Sequence, residues 1–122
     1  MTATAKSFSA PDEVRDMPNG KGSAAYVRVG EYTVSRGALE SGWRWSNDIR
    51  PIVGGTSCQF DHYGVLLSGR FHVELDDGTT LDLEAGQAYH IPPGHDAWVV
   101  GDEPAEAIDW TPGEDNFGKP QR

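Results

Sequence analysis

The sequence predicts an all-β protein built from short antiparallel strands. Runs rich in β-branched and aromatic residues recur at intervals of roughly 8–12 residues and are separated by glycines and prolines. Several runs alternate apolar and polar residues, which is the period of a strand with one face in water. No segment has an apolar stripe of helical period longer than about two turns. Such a chain folds as a sandwich or barrel, and closing the sheets into a roll leaves a cavity between them.

The first 22 residues lack this pattern. Residues 1–22 are rich in Ala, Ser, Asp, Pro, Asn and Gly, and Pro18, Asn19-Gly20 and Gly22 interrupt any short helix. We therefore predict a loosely ordered arm, or an edge strand lent to a partner chain.

The β pattern begins after residue 24. Residues 26–29 and 32–36 are typical of strands and are followed by glycines. Residues 43–46 come next and, as a strand, would place Trp43 and Trp45 on one face. Large aromatic rings on one face belong either to the core or to the wall of a pocket, and both interpretations stay open at this point.

A hairpin is the clearest element in the sequence. Apolar and polar residues alternate over residues 71–75 and again over residues 81–84, and Asp77-Gly78 between them is a strong turn signal. The hairpin has one wet face, which places His72 outward. The same alternation places His90 outward.

Composition narrows the class of protein. A chain of 122 residues and 13.3 kDa is predicted to form one domain. Its formal net charge of −9 argues against nucleic acid and anionic membranes as partners, because both recruit Lys and Arg. A single cysteine allows no internal disulfide, and residues 1–10 lack the apolar segment of a signal peptide. We expect a cytoplasmic protein without a membrane span.

The candidate functional residues are one thiol and two imidazoles. Cys58 and His62 lie four residues apart, so they share one face of an extended chain. His95 comes just after a Pro-Pro-Gly turn. If the strands between them fold back on one another, the three side chains share one pocket. Cys and His favour zinc, with iron, nickel or manganese as the other candidates.

Two further groups of residues belong to this hypothesis. Each ligating imidazole needs an outer partner for its second nitrogen, and Asp61, Asp96 and Tyr63 are close in sequence. Strand alternation, however, turns both aspartates away from the ligand face. The candidate pocket walls are aromatic residues: Trp43, Trp45, Phe60 and Tyr89.

Residues 26–110 resemble the single-domain cupins, a family of small RmlC-like jelly-roll barrels. Gly69, Gly86, Pro92 and Gly94 match the turn positions of the two family motifs. The ligand positions differ. Counting back from the first of these glycines places Thr56, Cys58 and His62 where the family has His, His and Glu, and Ala97 replaces the last His, two residues after His95.

The resemblance implies an antiparallel jelly-roll barrel over residues 23–111, flanked by the arm of residues 1–22 and a tail of residues 112–122. It also implies a homodimer, since cupins commonly pair through their sheets. Family members include isomerases, dioxygenases, decarboxylases and proteins without catalytic activity. The residues single out no general base, so no catalytic residue is assigned.

Three functions remain open. The first is a cupin barrel that binds a divalent metal ion through Cys58, His62 and His95, takes a small organic ligand, and assists chemistry on it. The second is a metal-free module that binds or senses a small molecule, with the thiol and imidazole as polar anchors. The third is an interaction domain whose cavity is filled by its own side chains.

Overall fold

The computed structural model describes residues 2–112 of the chain. Within that range it has nine strands, two single-turn helices and a 3-10 turn at Pro18–Gly20. The strands are β1 (Glu13–Asp16), β2 (Gly22–Val29), β3 (Tyr32–Leu39), β4 (His62–Ser68), β5 (Arg70–Leu75), β6 (Thr80–Glu84), β7 (Ala88–Ile91), β8 (His95–Val99) and β9 (Ala105–Pro112). The helices are α1 (Trp45–Asp48) and α2 (Arg50–Val53).

The strands form two antiparallel sheets that pack face to face. The larger sheet has the order β1-β2-β3-β9-β4-β7, and the smaller has the order β6-β5-β8. The last strand of the described range, β9, pairs with both β3 and β4 and so joins the two halves of the larger sheet. The prediction of an all-β antiparallel jelly roll is confirmed, and the core lies between the two sheets.

The predicted hairpin is β5 and β6. Its turn is closed by the amide and hydroxyl of Thr79, which both donate to Asp77 Oδ1, and Gly78 has a φ of +90° that favours glycine. His72 lies on the outer face, where its Nδ1 is 2.6 Å from Asp82 Oδ1. His90 is exposed, as the alternation predicts.

The N-terminal arm is partly built into the barrel. Residues 13–16 form β1, which pairs with β2 of the same chain. The pairing is anchored at its start by the Asp12 amide, which donates to the Tyr26 carbonyl at 2.9 Å. Residues 2–12 contain no strand or helix. Of the predicted tail, Pro112 ends β9, and residues 113–122 lie outside the described residues.

The predicted strand over residues 43–46 is wrong beyond Arg44. Extended backbone ends there, and α1 begins at Trp45, because the carboxylate of Asp48 accepts a hydrogen bond from the Arg44 amide at 2.9 Å. Pro51 lies in the first turn of α2, where its fixed φ is favourable. No helix in the described range is long and apolar enough to span a membrane.

Candidate metal centre

The structure brings Cys58, His62 and His95 together between the two sheets. His62 is the first residue of β4, and His95 is the first residue of β8. Cys58 forms an isolated antiparallel bridge with His95, closed by the Cys58 amide donating to the His95 carbonyl at 2.7 Å. Directly bridged residues have neighbouring side chains, so the backbone alone places the thiol beside this imidazole.

The donor atoms have the spacing of a metal site. One ligand atom from each of the three residues lies within 4.8 Å of the other two, and Cys58 Sγ is 3.8 Å from His62 Nε2. Tetrahedral zinc with bonds of about 2.3 Å to sulfur and about 2.05 Å to nitrogen would hold these two atoms about 3.6 Å apart. Around such an ion the Cys58–His62 pair would close by a few tenths of an ångström, and the widest of the three distances, up to 4.8 Å, would close by more than about 1 Å.

Both imidazoles have an outer partner that fixes their tautomer. His62 Nδ1 is 3.2 Å from Asp109 Oδ2, and His95 Nδ1 is 2.8 Å from the carbonyl oxygen of Pro92. Both acceptors require a proton on Nδ1, which leaves Nε2 as the ligand atom of each ring. The hydroxyl of Tyr89 donates to the other oxygen of Asp109 and holds that carboxylate in place.

The thiol and the first imidazole form a charged pair when no metal is bound. Burial by itself would raise the pKa of the Cys58 thiol, but hydrogen bonds and positive charge from His62 and His95 bring it down to about 6. Burial would lower the pKa of His62, but its contacts with Asp109 and Cys58 raise it to about 10. The metal-free site is therefore a thiolate beside an imidazolium, and a metal ion would replace the proton between them.

The candidate outer partners proposed from sequence proximity are corrected by the structure. Asp61 lies 2.6 Å from His90 Nε2 on the surface, and Tyr63 stacks on the same imidazole at 4.4 Å. Asp96 accepts a hydrogen bond from Arg44 Nε at 3.1 Å. Both aspartates point away from the site because they occupy the opposite phase of the strand alternation.

Asp109 is the functional residue that the sequence reasoning missed. It lies 47 positions from His62 in the chain, and the pairing of β4 with β9 brings the two together. A signal was present. Along β9 the inward positions are Ala105, Ala107 and Asp109, so a charged residue stands where the alternation calls for an apolar one.

Gly64 makes room for the hydrogen bond between Tyr89 and Asp109. A Cβ at this position would lie 2.4 Å from the Ile108 carbonyl oxygen and 2.6 Å from the Tyr89 hydroxyl oxygen. No side chain fits there without moving this backbone, so glycine is required by close approach.

The site opens into a cavity of about 420 Å³. That volume is within the range of small-molecule sites, roughly 300–1,000 Å³. The cavity is lined by all four aromatic residues proposed as pocket walls, Trp43, Trp45, Phe60 and Tyr89, and by the three candidate ligands. Both tryptophans are buried, so they are core residues and cavity walls at once. Ala97 also lines the cavity, whereas Thr56 is exposed.

Comparisons with known proteins agree with this architecture. Residues 59–111 match the cupin domain family. No curated protein matches the chain. Similar solved structures include an RmlC-like cupin from Shewanella frigidimarina, at 21% identity over 86% of this chain and 87% of that chain with a TM-score of 0.58. KdgF from Halomonas sp. is 20% identical over 84% of this chain and 90% of that chain, with a TM-score of 0.56.

A third neighbour is a deletion mutant of Bacillus subtilis oxalate decarboxylase, 16% identical with a TM-score of 0.59. The match covers 81% of this chain but only 28% of the decarboxylase. At such identities the three likenesses concern the fold alone. Residues 59–111 of this chain thus match the cupin domain, and its fold is similar to that of these cupin structures.

Proposed function

We propose that this protein binds one divalent metal ion, zinc by preference, through Cys58, His62 and His95. The observation that carries the proposal is the convergence of three ligand atoms within 4.8 Å, with the second nitrogen of each imidazole already held by an outer acceptor. We place this activity in the cytoplasm, where a lone thiol stays reduced and available as a ligand.

Three protein ligands leave an open position on a tetrahedral ion, and we propose that it serves a small organic ligand in the cavity. A bound divalent ion would polarise a carbonyl oxygen or acidify a bound water molecule. The residues of this chain supply the rest: Asp109 orients His62, and the apolar walls exclude bulk water. Asp109 already accepts hydrogen bonds from His62 and Tyr89, so it is not assigned as a general base. The primary function proposed is therefore binding, with metal-assisted chemistry on the ligand as its extension.

A metal-free binding module is the second candidate. The observation that favours it is the contact of 3.8 Å between Cys58 Sγ and His62 Nε2, which satisfies both groups without an ion. In that case the thiolate and imidazolium would anchor the ligand directly, and the same cavity would serve.

Metal analysis of the purified protein tests the first candidate. We expect about one equivalent of zinc in the native chain, and a large loss in Cys58→Ala and His62→Ala. His90→Ala is the matched control, because this imidazole is exposed and is not part of the ligand cluster. Equal metal content in all four proteins would refute the proposed metal site. Ligand-induced thermal stabilisation that is unchanged by a chelator would then favour the metal-free module.

We also propose that two copies pair through the outer face of the larger sheet. Trp110 is directly opposite Tyr63 and Val34 on neighbouring strands, and the two aromatic residues are 37% and 44% exposed. Such an apolar row is typical of an interface. Sedimentation should give a dimer that Trp110→Glu dissociates. Leu81→Glu, on the smaller sheet and 40% exposed in the native chain, should leave the dimer intact. A monomeric native protein at high concentration would contradict the proposal.

A further inference from the structure

The polar groups that face the cavity from the larger sheet form one row across its strands. The register places Tyr26 opposite Ser35, Ser35 opposite Asp109, Asp109 opposite Gly64, and Gly64 opposite Tyr89. Tyr26, Ser35, Asp109 and Tyr89 line the cavity, and Gly64 is the residue between the last two in the register. Burial, together with nearby carboxylates, raises the pKa of both tyrosines, so their hydroxyls remain neutral. The sheet therefore presents hydroxyl groups and a single carboxylate to a ligand.

The described lining of the cavity offers no lysine or arginine side chain to an anion. With a divalent ion in place, its two positive charges are balanced by the Cys58 thiolate and the Asp109 carboxylate. The Asp109 carboxylate faces the same cavity. A carboxylate on a ligand would therefore meet no lysine or arginine among the described lining residues, and burying it there is unfavourable.

The remaining walls are flat and apolar. Trp43 and Phe71 stack with ring centroids 5.8 Å apart, and Trp45 and Phe60 also line the cavity. Aromatic walls of this kind favour a planar ring in offset or edge contact.

We propose that the cavity takes an uncharged, planar aromatic molecule that carries one hydroxyl or carbonyl oxygen, and that it excludes dicarboxylates. The ring packs among the tryptophan and phenylalanine side chains, and the oxygen faces the Cys58–His62–His95 cluster and the hydroxyl row. This inference depends on the proposed function in one respect only, namely that a metal ion would contact this oxygen. The preference for an uncharged ring rests on the aromatic walls and on the lack of lysine and arginine among the described residues that line the cavity.

Benzamide and benzoate test the charge preference, because they have nearly the same shape and differ by one charge. Their dissociation constants, and that of oxalate, are measured by calorimetry on metal-free and zinc-loaded protein. In the metal-free form we expect benzamide to bind at least tenfold more tightly than benzoate, and oxalate to bind most weakly of the three. Benzoate or oxalate binding as tightly as benzamide, or no binding by any of the three, would overturn the proposal.

A pair of arginine substitutions locates the binding. Gln59 is exposed yet lines the cavity, so Gln59→Arg adds a positive charge at the site without disturbing the core. We expect it to reduce the preference for benzamide over benzoate at least threefold. Thr80→Arg, at an exposed position outside the cavity, should leave the preference unchanged. An equal effect of both substitutions, or no effect of Gln59→Arg, would contradict binding in the cavity.

Zinc content measured on the same samples separates this inference from the proposed function. If the protein binds zinc through Cys58 but does not bind benzamide, the proposed ligand class is refuted and the proposed metal site stands. Benzamide preference without zinc would leave the ligand class and refute the metal site.

Discussion

Zinc binding should release one proton at pH 7.5. The metal-free site holds a Cys58 thiolate, because the pKa of the thiol is about 6, and a His62 imidazolium, because the pKa of that ring is about 10. A metal ion needs the thiolate as it stands but requires the lone pair on His62 Nε2. The proton between the two side chains must therefore leave when the ion binds.

The pH dependence of the zinc affinity follows from the same two pKa values. At pH 7.5 the pKa of His62 lies about 2.5 units above the solution pH, so displacing the proton costs roughly 3 kcal/mol of the binding free energy. Zinc affinity should rise about tenfold per pH unit between pH 6 and pH 10, since one proton is displaced. Below pH 6 the Cys58 thiol is protonated as well, so the affinity should fall more steeply, approaching a hundredfold per pH unit.

Calorimetry in two buffers of different ionisation enthalpy counts the released protons. Asp109→Asn is the informative variant, because it removes the carboxylate that raises the pKa of His62. At pH 8.5 the native chain should still release close to one proton, and the variant should release fewer. Lost orientation of the ring should lower its zinc affinity by roughly 10–100-fold, and at pH 7.5 the weaker competition from the His62 proton should offset part of that loss. No proton release at pH 7.5, or affinity that is flat between pH 6.5 and pH 9, would refute the reasoning.

Other substitutions test the neighbours of the site. Gly64→Ala should lower the free energy of unfolding by about 1–3 kcal/mol, since its Cβ would overlap backbone. Gly37→Ala, whose Cβ would lie 3.5 Å from that of Ala24, should change thermal stability little; equal losses would contradict the packing argument. Asp48→Ala should cost about 1–3 kcal/mol in urea denaturation, because this buried carboxylate accepts the amide that begins α1. Asp102→Ala, at an exposed position, is its control, and equal losses of unfolding free energy would argue against a stabilising role for the hydrogen bond between the Arg44 amide and Asp48.

The ligand cluster could be predicted because it depends on local periodicity. Cys58 and His62 are four residues apart, and His95 follows a turn that opens a strand, so alternation alone assigns each of them to a face. The hairpin at Asp77-Gly78 was predictable for a similar reason, since its turn chemistry is local. These features need no knowledge of which strands pair.

Other features depend on pairing between distant strands. The role of Asp109 exists only because β9 inserts between β3 and β4, and no local pattern states that order. The helices after Arg44 were missed because α1 and α2 have four residues each, too short to show a helical stripe. What starts α1 is a side-chain contact to Asp48, which strand periodicity does not register.

The backbone pairing itself holds the three candidate ligands close together. In small metal-dependent domains the binding energy of the metal is the folding energy, because the ligands are apart until it binds. Here Cys58 and His95 are bridged through their backbones, and His62 is paired with Ile91 in the sheet. The proton on His62 and a metal ion would therefore compete for one lone pair on His62 Nε2. A charged thiolate–imidazolium pair and the proposed metal centre would then be two occupancies of the same site, and their ratio would depend on pH and on the free metal concentration.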